Sequence, residues 1–305
     1  MKLLVTGREG QVVRSLLERA GAGVQVEALG RPALDLAEAA GIAGAIAASF
    51  GGSGPDVVIH AAAYTAVDRA EGEEALALAI NGAGAGAVAA AAQELGAQLI
   101  HISTDYVYDG AKPAPYVESD ACAPQGAYGR SKLAGEAAIL AAHPGAVIAR
   151  TAWVYSPFGA NFVKTMLRLA STRAEVGAEV SVVADQLGCP TNALDMADAL
   201  LVMAARLRAD PSAALRGVFH VAGSGEGSWA DLAEAVFAAS AAHGGPAAAV
   251  KRITTADYPT PARRPANSRL CGAKLAAAYG LALPDWRASV AGVVARLLAE
   301  QEKAA

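Results

Sequence analysis

Apolar and polar positions follow two alternating rhythms through the first half of the chain. Residues 2–6 form a short apolar run that stops at Gly7, and residues 11–20 then place apolar side chains at helical spacing. Residues 24–28 read as a second strand, residues 37–50 as a helix ended by Gly51-Gly52-Ser53-Gly54-Pro55, and residues 56–60 as a third strand. The pattern then predicts a long helix from about 69 to 95, a strand over 97–102, a helix over 128–142 and a strand over 146–150. Strands that are apolar on both faces and separated by helices form a parallel sheet covered on both sides, the helices serving as crossovers. The expected fold class is therefore α/β, with a doubly wound parallel sheet over residues 1–152.

Beyond Trp153 the rhythm is less regular. Residues 161–170, 195–207, 229–242 and 287–303 have helical spacing, and residues 179–184 and 218–222 read as strands. A Pro- and Arg-rich loop spans residues 258–269. These features predict a smaller α/β domain over residues 153–305 at the carboxyl edge of the sheet, with later segments returning to the first domain. No internal repeat and no long linker separates the halves.

With 54% hydrophobic and 18% charged residues among 305, the chain can bury a large core and is not disordered. A net charge of -4 without a clustered excess of Lys and Arg excludes a nucleic-acid surface, although local patches can still meet a small anionic substrate. Cys122, Cys189 and Cys271 are odd in number and widely spaced, so three reduced thiols are expected rather than a disulfide framework or a zinc site. The amino terminus enters a strand directly, without a signal-peptide pattern. Residues 75–92 are apolar but broken by Asn81, Gly82, Gly84 and Gly86, which predicts a buried helix rather than a membrane span. A soluble, cytoplasmic protein is expected.

Gly7-Arg8-Glu9-Gly10-Gln11-Val12-Val13 lies between the first strand and the first helix. Glycines there permit a tight turn and a close backbone approach to a pyrophosphate seated on the helix N-terminus, the dinucleotide site of a Rossmann-type sheet. Val13 replaces the third glycine usual in such loops, so the helix is expected slightly farther from the strand. The second strand ends in Leu29-Gly30-Arg31, with no carboxylate until Asp35. Arg31 favours the 2′-phosphate of NADPH, with NADH the alternative and a solvated surface arginine the plain reading.

Tyr128 and Lys132 are four residues apart, on one face of the predicted helix. A phenol ordinarily titrates at about 10, and a nearby lysine cation is expected to lower that value. Tyr128 would then donate a proton to a carbonyl oxygen as hydride reaches the carbon, and Lys132 would hold the nicotinamide ribose. The fourth strand runs into His101-Ile102-Ser103-Thr104-Asp105-Tyr106, polar residues at the edge where doubly wound sheets bind ligands. Ser103 or Thr104 is the candidate partner of the carbonyl. Five histidines show no metal-ligand spacing. Trp229 and Trp286 are expected to be packing residues. Trp153 is a ligand candidate or, alternatively, an aromatic between the domains.

On these residues the chain resembles the extended short-chain dehydrogenase/reductases and, among them, the dTDP-4-dehydrorhamnose reductase family. The similarity extends through Ala61-Ala62-Ala63-Tyr64-Thr65-Ala66-Val67-Asp68, Ser103-Thr104-Asp105-Tyr106-Val107-Tyr108 and Tyr128-Gly129-Arg130-Ser131-Lys132. It continues through Arg150-Thr151-Ala152-Trp153-Val154-Tyr155, Asp185-Gln186-Leu187-Gly188-Cys189-Pro190-Thr191 and Arg264-Pro265-Ala266-Asn267-Ser268-Arg269. The resemblance implies a nicotinamide-dependent reduction of a nucleotide-sugar ketone, with Thr104, Tyr128 and Lys132 as the catalytic set. It assigns Gly7, Gly10, Gln11, Val12, Asp35, Leu36, Ala61, Ala62, Ala63 and Thr65 to the cofactor, beside Arg31. Asp105, Trp153, Arg264 and Ser268 fall to the substrate, the arginine suiting phosphate oxygens. Some relatives hold Mg²⁺ between subunits through glutamates; Ser15 and Leu194 stand at the matching positions and cannot replace them, so no metal-bridged dimer is expected. Monomer and dimer both stay open. A dehydratase of the same superfamily would need a second carboxylate where Tyr106 stands. An epimerase would retain its nicotinamide, and a regulatory subunit of methionine adenosyltransferase would not need the intact set.

Overall fold

In the computed structural model, which describes residues 1–172 and 179–304, the chain runs through β1 (Lys2–Thr6), α1 (Gln11–Arg19), β2 (Gln25–Leu29), α2 (Ala39–Ala47), β3 (Val57–His60), α3 (Glu74–Glu94), β4 (Gln98–Thr104), α4 (Ala127–Ala142) and β5 (Val147–Thr151). It continues through α5 (Phe162–Thr172), β6 (Glu179–Val183), α6 (Ala193–Ala209), β7 (Gly217–His220), α7 (Trp229–Ala242), β8 (Ala249–Ile253), α8 (Ala273–Tyr279) and α9 (Trp286–Ala304), with shorter pieces between. Six strands form one parallel sheet in the order β7-β5-β4-β3-β1-β2.

Alternation along β1 sends Leu3 and Val5 to one face of this sheet and Leu4 to the other. On the first face they join Val13 and Leu16 of α1, Met196, Leu200 and Met203 of α6, and Leu275 of α8. On the second, Leu4, Val58, Leu99 and Ile148 pack against Ile42 and Ile46 of α2, Val88 and Ala92 of α3, and Ile139 of α4. A separate core joins Val163 and Met166 of α5, Val180 and Val182 of β6, Val236 and Phe237 of α7, and Trp286, Val290 and Val294 of α9. Thus α6, β7 and α8, all beyond residue 152, pack on the large sheet, while β6 pairs in parallel with β8 in the smaller unit.

Several expected boundaries move, for local reasons. The helix expected over 37–50 starts at Ala39, because the Asp35 carboxylate takes the Ala37 N–H at 3.0 Å, and it ends before Phe50, whose φ is 53°. The helix expected over 69–95 is split at a turn in which Gly72 N–H bonds to the Arg69 carbonyl. Strand β4 runs on through Thr104, and the polar character of Ser103 and Thr104 hid that extension. Strand β8 and helix α8 were not apparent, β8 because only Val250 and Ile253 along it are half-buried.

Within α3, Ala79–Gly84 forms a π turn, and beside it α3 and α4 cross closely through small residues. A Cβ on Gly135 would lie 2.0 Å from the Asn81 carbonyl oxygen, and one on Gly86 would lie 3.1 Å from Ala138 Cβ. By length and composition α3 could cross a membrane, yet Ala85, Val88, Ala89 and Ala92 are buried against the sheet. The Gly135 contact is with backbone, which cannot rotate away. Gly135→Ala is expected to cost about 1–3 kcal/mol, whereas Gly44→Ala in α2, with nothing within 4 Å, is expected to be neutral or slightly stabilising. Thermal unfolding followed by circular dichroism checks the contrast; equal melting temperatures for the two variants would refute it.

Candidate active site

The carboxyl ends of β2, β1 and β3 lie side by side and gather the first group of sequence candidates. Gly7, at φ 103°, donates its N–H to the Leu29 carbonyl at 2.7 Å. A Cβ on Gly30 would lie 3.3 Å from the Gly7 backbone, so glycine lets the end of β2 close on the loop. Gly10 caps α1 without a side-chain bond and the first turn carries no acid, leaving the N–H groups of Gln11, Val12 and Val13 to meet an anion. These features fit a pyrophosphate. Val13 Cγ2 comes within 3.2 Å of where a Gly7 Cβ would stand.

The rest of this group is arranged around the same edge. Ala61 and Ala62 donate their N–H groups to Thr6 Oγ1, both at 3.1 Å. Ala63 is half-buried and Thr65 exposed. Leu36 is buried, with its carbonyl under α3 where a Gly84 Cβ would lie 2.3 Å away. Arg31 is exposed and Asp35 half-buried. The Gln11 side chain turns from the loop toward the second half of the chain: its Oε1 accepts from Ser156 Oγ at 2.8 Å and Asn161 Nδ2 at 3.0 Å, and its amide donates to the Val154 carbonyl at 3.3 Å. What Gln11 offers at the loop is backbone.

The second group converges at the end of β4. Thr104 Oγ1 accepts the Tyr106 N–H at 3.2 Å and donates to Asp105 Oδ1 at 3.0 Å. Ser103 points the other way, to Glu136 Oε1 at 2.5 Å, which leaves Thr104 as the hydroxyl in contact with the Tyr128 phenol. Glu136 in turn holds Arg150 through bonds of 2.9 and 2.5 Å, a buried ion pair that ties α4 to β5. Tyr128 occupies the first turn of α4, and Gly129 beside it lets the Tyr106 carbonyl close on that turn, where a Cβ would stand 2.2 Å away. The Tyr106 ring meets Tyr128 edge-on at 5.5 Å. Ser268, paired with Gly188 in a short parallel bridge, closes on Asp105.

Burial pushes the Asp105 carboxyl up to about 6, with the Ser268 and Thr104 hydroxyls opposing it. Burial and the neighbouring Asp105 raise the Tyr128 phenol, and only the Thr104 hydroxyl lowers it. This corrects the expectation that Lys132 would depress the phenol. The Lys132 ammonium is buried and directed at the sheet, to His101 Nε2 at 3.0 Å and the Ile102 carbonyl at 2.8 Å, and burial brings it down to about 8.

A cleft of about 650 Å³ opens beside these groups, lined by Trp153, Phe162, Met166, Trp229, Arg264 and Ser268 among others. Such a volume suits a small organic ligand. Trp153 has φ 50° and lies over Gly188, where a Cβ would be 2.4 Å from its ring. Its other face stacks on Trp229 at 3.6 Å and 11°. Trp229 packs against the core of the smaller unit, as its pattern implied, and is also part of the cleft wall, where Gln186 fixes it by accepting its indole N–H at 3.1 Å. Trp286, 1% exposed, is core as expected. Arg264 reaches the cleft too, but its fork is engaged by Asp68 Oδ2 at 2.6 Å and Tyr106 Oη at 3.3 Å. Asp68, Gln186, Glu136 and the His60–His101 pair carried no spacing signal, because each acts through tertiary contact.

Among the described residues no group of three or more His, Cys, Asp or Glu could hold a metal ion. Ser15 donates its hydroxyl to the Gln11 carbonyl, and Leu194 sits in the first turn of α6.

Residues 1–299 match the family model described as the RmlD substrate binding domain. A dTDP-4-dehydrorhamnose reductase of Sinorhizobium fredii is 49% identical over 304 residues, covering 100% of both chains. The crystal structure of a dTDP-4-dehydrorhamnose reductase from Clostridium acetobutylicum superimposes with a TM-score of 0.88 at 36% identity, over 98% of this chain and 100% of that one. Another from Bacillus anthracis, in complex with NADP, gives a TM-score of 0.86 at 34% identity, over 97% and 99%.

Asp105 yields a prediction of stability against pH. Its folded value of about 6 exceeds that of an unfolded aspartate, about 3.9, so its contribution to stability is present below the unfolded value and lost as pH rises through the folded one. Asp105→Asn should therefore gain on the wild type between about pH 4 and pH 7.5, by at most roughly 3 kcal/mol. Denaturant unfolding at both values tests this; a difference that does not change with pH would refute it.

Proposed function

The chain belongs to the dTDP-4-dehydrorhamnose reductase family, and from that premise we propose that it reduces the C4 ketone of dTDP-4-dehydro-L-rhamnose to dTDP-L-rhamnose, the last step of dTDP-L-rhamnose biosynthesis. The observation that carries this reading is the gathering of Thr104, Asp105 and the Tyr128 phenol at the carboxyl edge of the parallel sheet, beside the aromatic cleft. A nicotinamide, when bound, supplies the hydride. Thr104 and Tyr128 orient the ketone oxygen between two hydroxyls. Burial keeps the Tyr128 phenol protonated through the neutral range, so it is ready to give its proton when negative charge develops on that oxygen. An alkoxide is more basic than a phenolate, so the transfer runs downhill even from a weakly acidic phenol. The Lys132 ammonium, one helical turn away, would hold the cofactor ribose through its remaining N–H and supply positive charge there.

Asp105 and Ser268 would bind sugar hydroxyls, Trp153 would cover the sugar, and Arg264 would meet the diphosphate. Tyr106, its hydroxyl held by Arg264, supplies no second carboxylate, which argues against an elimination step. Arg31, exposed at the end of β2, favours NADPH over NADH, and the relative in complex with NADP supports that preference.

Incubation with dTDP-4-dehydro-L-rhamnose should consume NADPH absorbance in step with product, and the same assay with NADH ranks the cofactors. No ketone-dependent oxidation of either cofactor would sink the reading. Tyr128→Phe is expected to lower kcat by about 10²–10⁴ while leaving NADPH affinity, read by cofactor fluorescence, within about twofold. Near-normal kcat would remove the phenol from the reaction.

A further inference from the structure

His60 and His101 lie beneath Lys132 and have no part in the chemistry described so far. They face each other across β3 and β4, both 1% exposed, with ring centroids 4.9 Å apart. Their tautomers follow from their neighbours. Thr6 Oγ1 already accepts two N–H groups, from Ala61 and Ala62, so its own hydrogen points to His60 Nδ1 at 2.7 Å. His60 must then carry its proton on Nε2. An ammonium has donors only, so His101 Nε2, at 3.0 Å from Lys132 Nζ, must present a lone pair and carry its proton on Nδ1. Both rings are neutral. With the Ile102 carbonyl at 2.8 Å, two of the three Lys132 N–H groups are fixed by β4, which fixes the direction of the third.

We propose that His101 is a positioning residue for the reduction: as a neutral acceptor, packed on a His60 ring anchored by Thr6, it holds the Lys132 ammonium at one point under the cleft and keeps it charged. The inference rests on the reading that Lys132 serves that reduction. The groups around the ammonium are few among the described residues. From β4 come His101 and the Ile102 carbonyl, and from β3 comes His60. From its own helix comes Glu136, whose charge supports the ammonium and is shared with Arg150 of β5. Asp105 and Tyr106 lie on the turn that packs against the start of α4, beside Tyr128. Burial and the lysine hold His60 down at about 3 and His101 well below its ordinary range, so neither ring titrates where the enzyme would work. Lys132, at about 8, does. The ammonium donates to His101 Nε2 more strongly than the neutral amine does, so loss of this acceptor costs the charged form more and moves the lysine titration to lower pH.

The test compares His101→Phe, which has no acceptor, with His101→Gln, whose Oε1 can stand in for Nε2. The chain has seven lysines, so ¹³Cε-lysine NMR resolves them, and Lys132→Met identifies the signal. This titration needs neither substrate nor cofactor. The Lys132 resonance is expected to titrate about half a unit or more lower in His101→Phe and to return toward the wild type in His101→Gln. The alkaline limb of kcat/KM should move the same way. Should His101→Phe not fold, His101→Asn replaces it, because its shorter amide stops short of Lys132 and should shift the titration as the phenylalanine does. An unshifted resonance, a glutamine variant that behaves like the phenylalanine one, or a shifted resonance with an unmoved limb overturns the proposal. A shifted resonance in a protein that oxidises no NADPH with the ketone would instead overturn the functional reading and leave the link between lysine and histidine standing.

Discussion

The close crossing of α3 and α4 sets where each reacting group can stand. Gly135 admits the Asn81 carbonyl where any other residue would place a side chain, and the π turn of α3 brings Asn81 to that point. The Asn81 amide then bonds both the Tyr64 backbone, in the loop after β3, and Ser131 of α4. One residue thus ties the cofactor edge of the sheet to the helix that carries Tyr128 and Lys132. The buried Glu136–Arg150 pair fastens the same helix to β5. A buried pair of this kind specifies geometry more than it stabilises, since desolvation offsets much of its attraction.

Burial has opposite consequences for the ionisable groups of this edge. It favours the neutral forms of Asp105, Tyr128, His60, His101 and Lys132 alike, raising the acids and lowering the bases, with the Ser268 and Thr104 hydroxyls opposing it at Asp105 and the Glu136 charge opposing it at Lys132. Below about pH 8 a site built this way keeps the Lys132 cation one helical turn from a protonated Tyr128 phenol. That arrangement suits a reaction in which negative charge appears on an oxygen and is quenched by a proton from a hydroxyl.

Much of the large sheet was legible because its strands are apolar on both faces and its glycines fall at strand ends, as at Gly7. The smaller unit was less so. Strand β8 carries Lys251 and Arg252 in its middle, and α8 has only seven residues, too short for a clear helical period. At the site, the spacing of Tyr128 and Lys132 placed both on α4, yet spacing could not tell where the lysine points. That depends on His101, which lies 31 positions earlier in the chain and shows no motif. Ser103 and Thr104 were interchangeable by type; the strand's alternation separates them, sending one to Glu136 and the other to the phenol. The packing role expected of Trp229 is met in the core of the smaller unit, but only the fold shows that it also stacks on Trp153.

The Arg264–Asp68 pair joins the loop before Ser268 to the short helical turn after Thr65, and so reaches from the smaller unit to the larger sheet. A guanidinium already neutralised by a carboxylate does not attract an anion as a free charge would. A phosphate that took the carboxylate's place would exchange one anion for another, so the arginine would contribute the difference between two pairings rather than the whole of one. Such an exchange discriminates against weakly basic or monodentate anions, which cannot outbid the carboxylate. It would also leave Asp68, on the turn that follows β3, with the Ala262 N–H in place of the arginine as its partner.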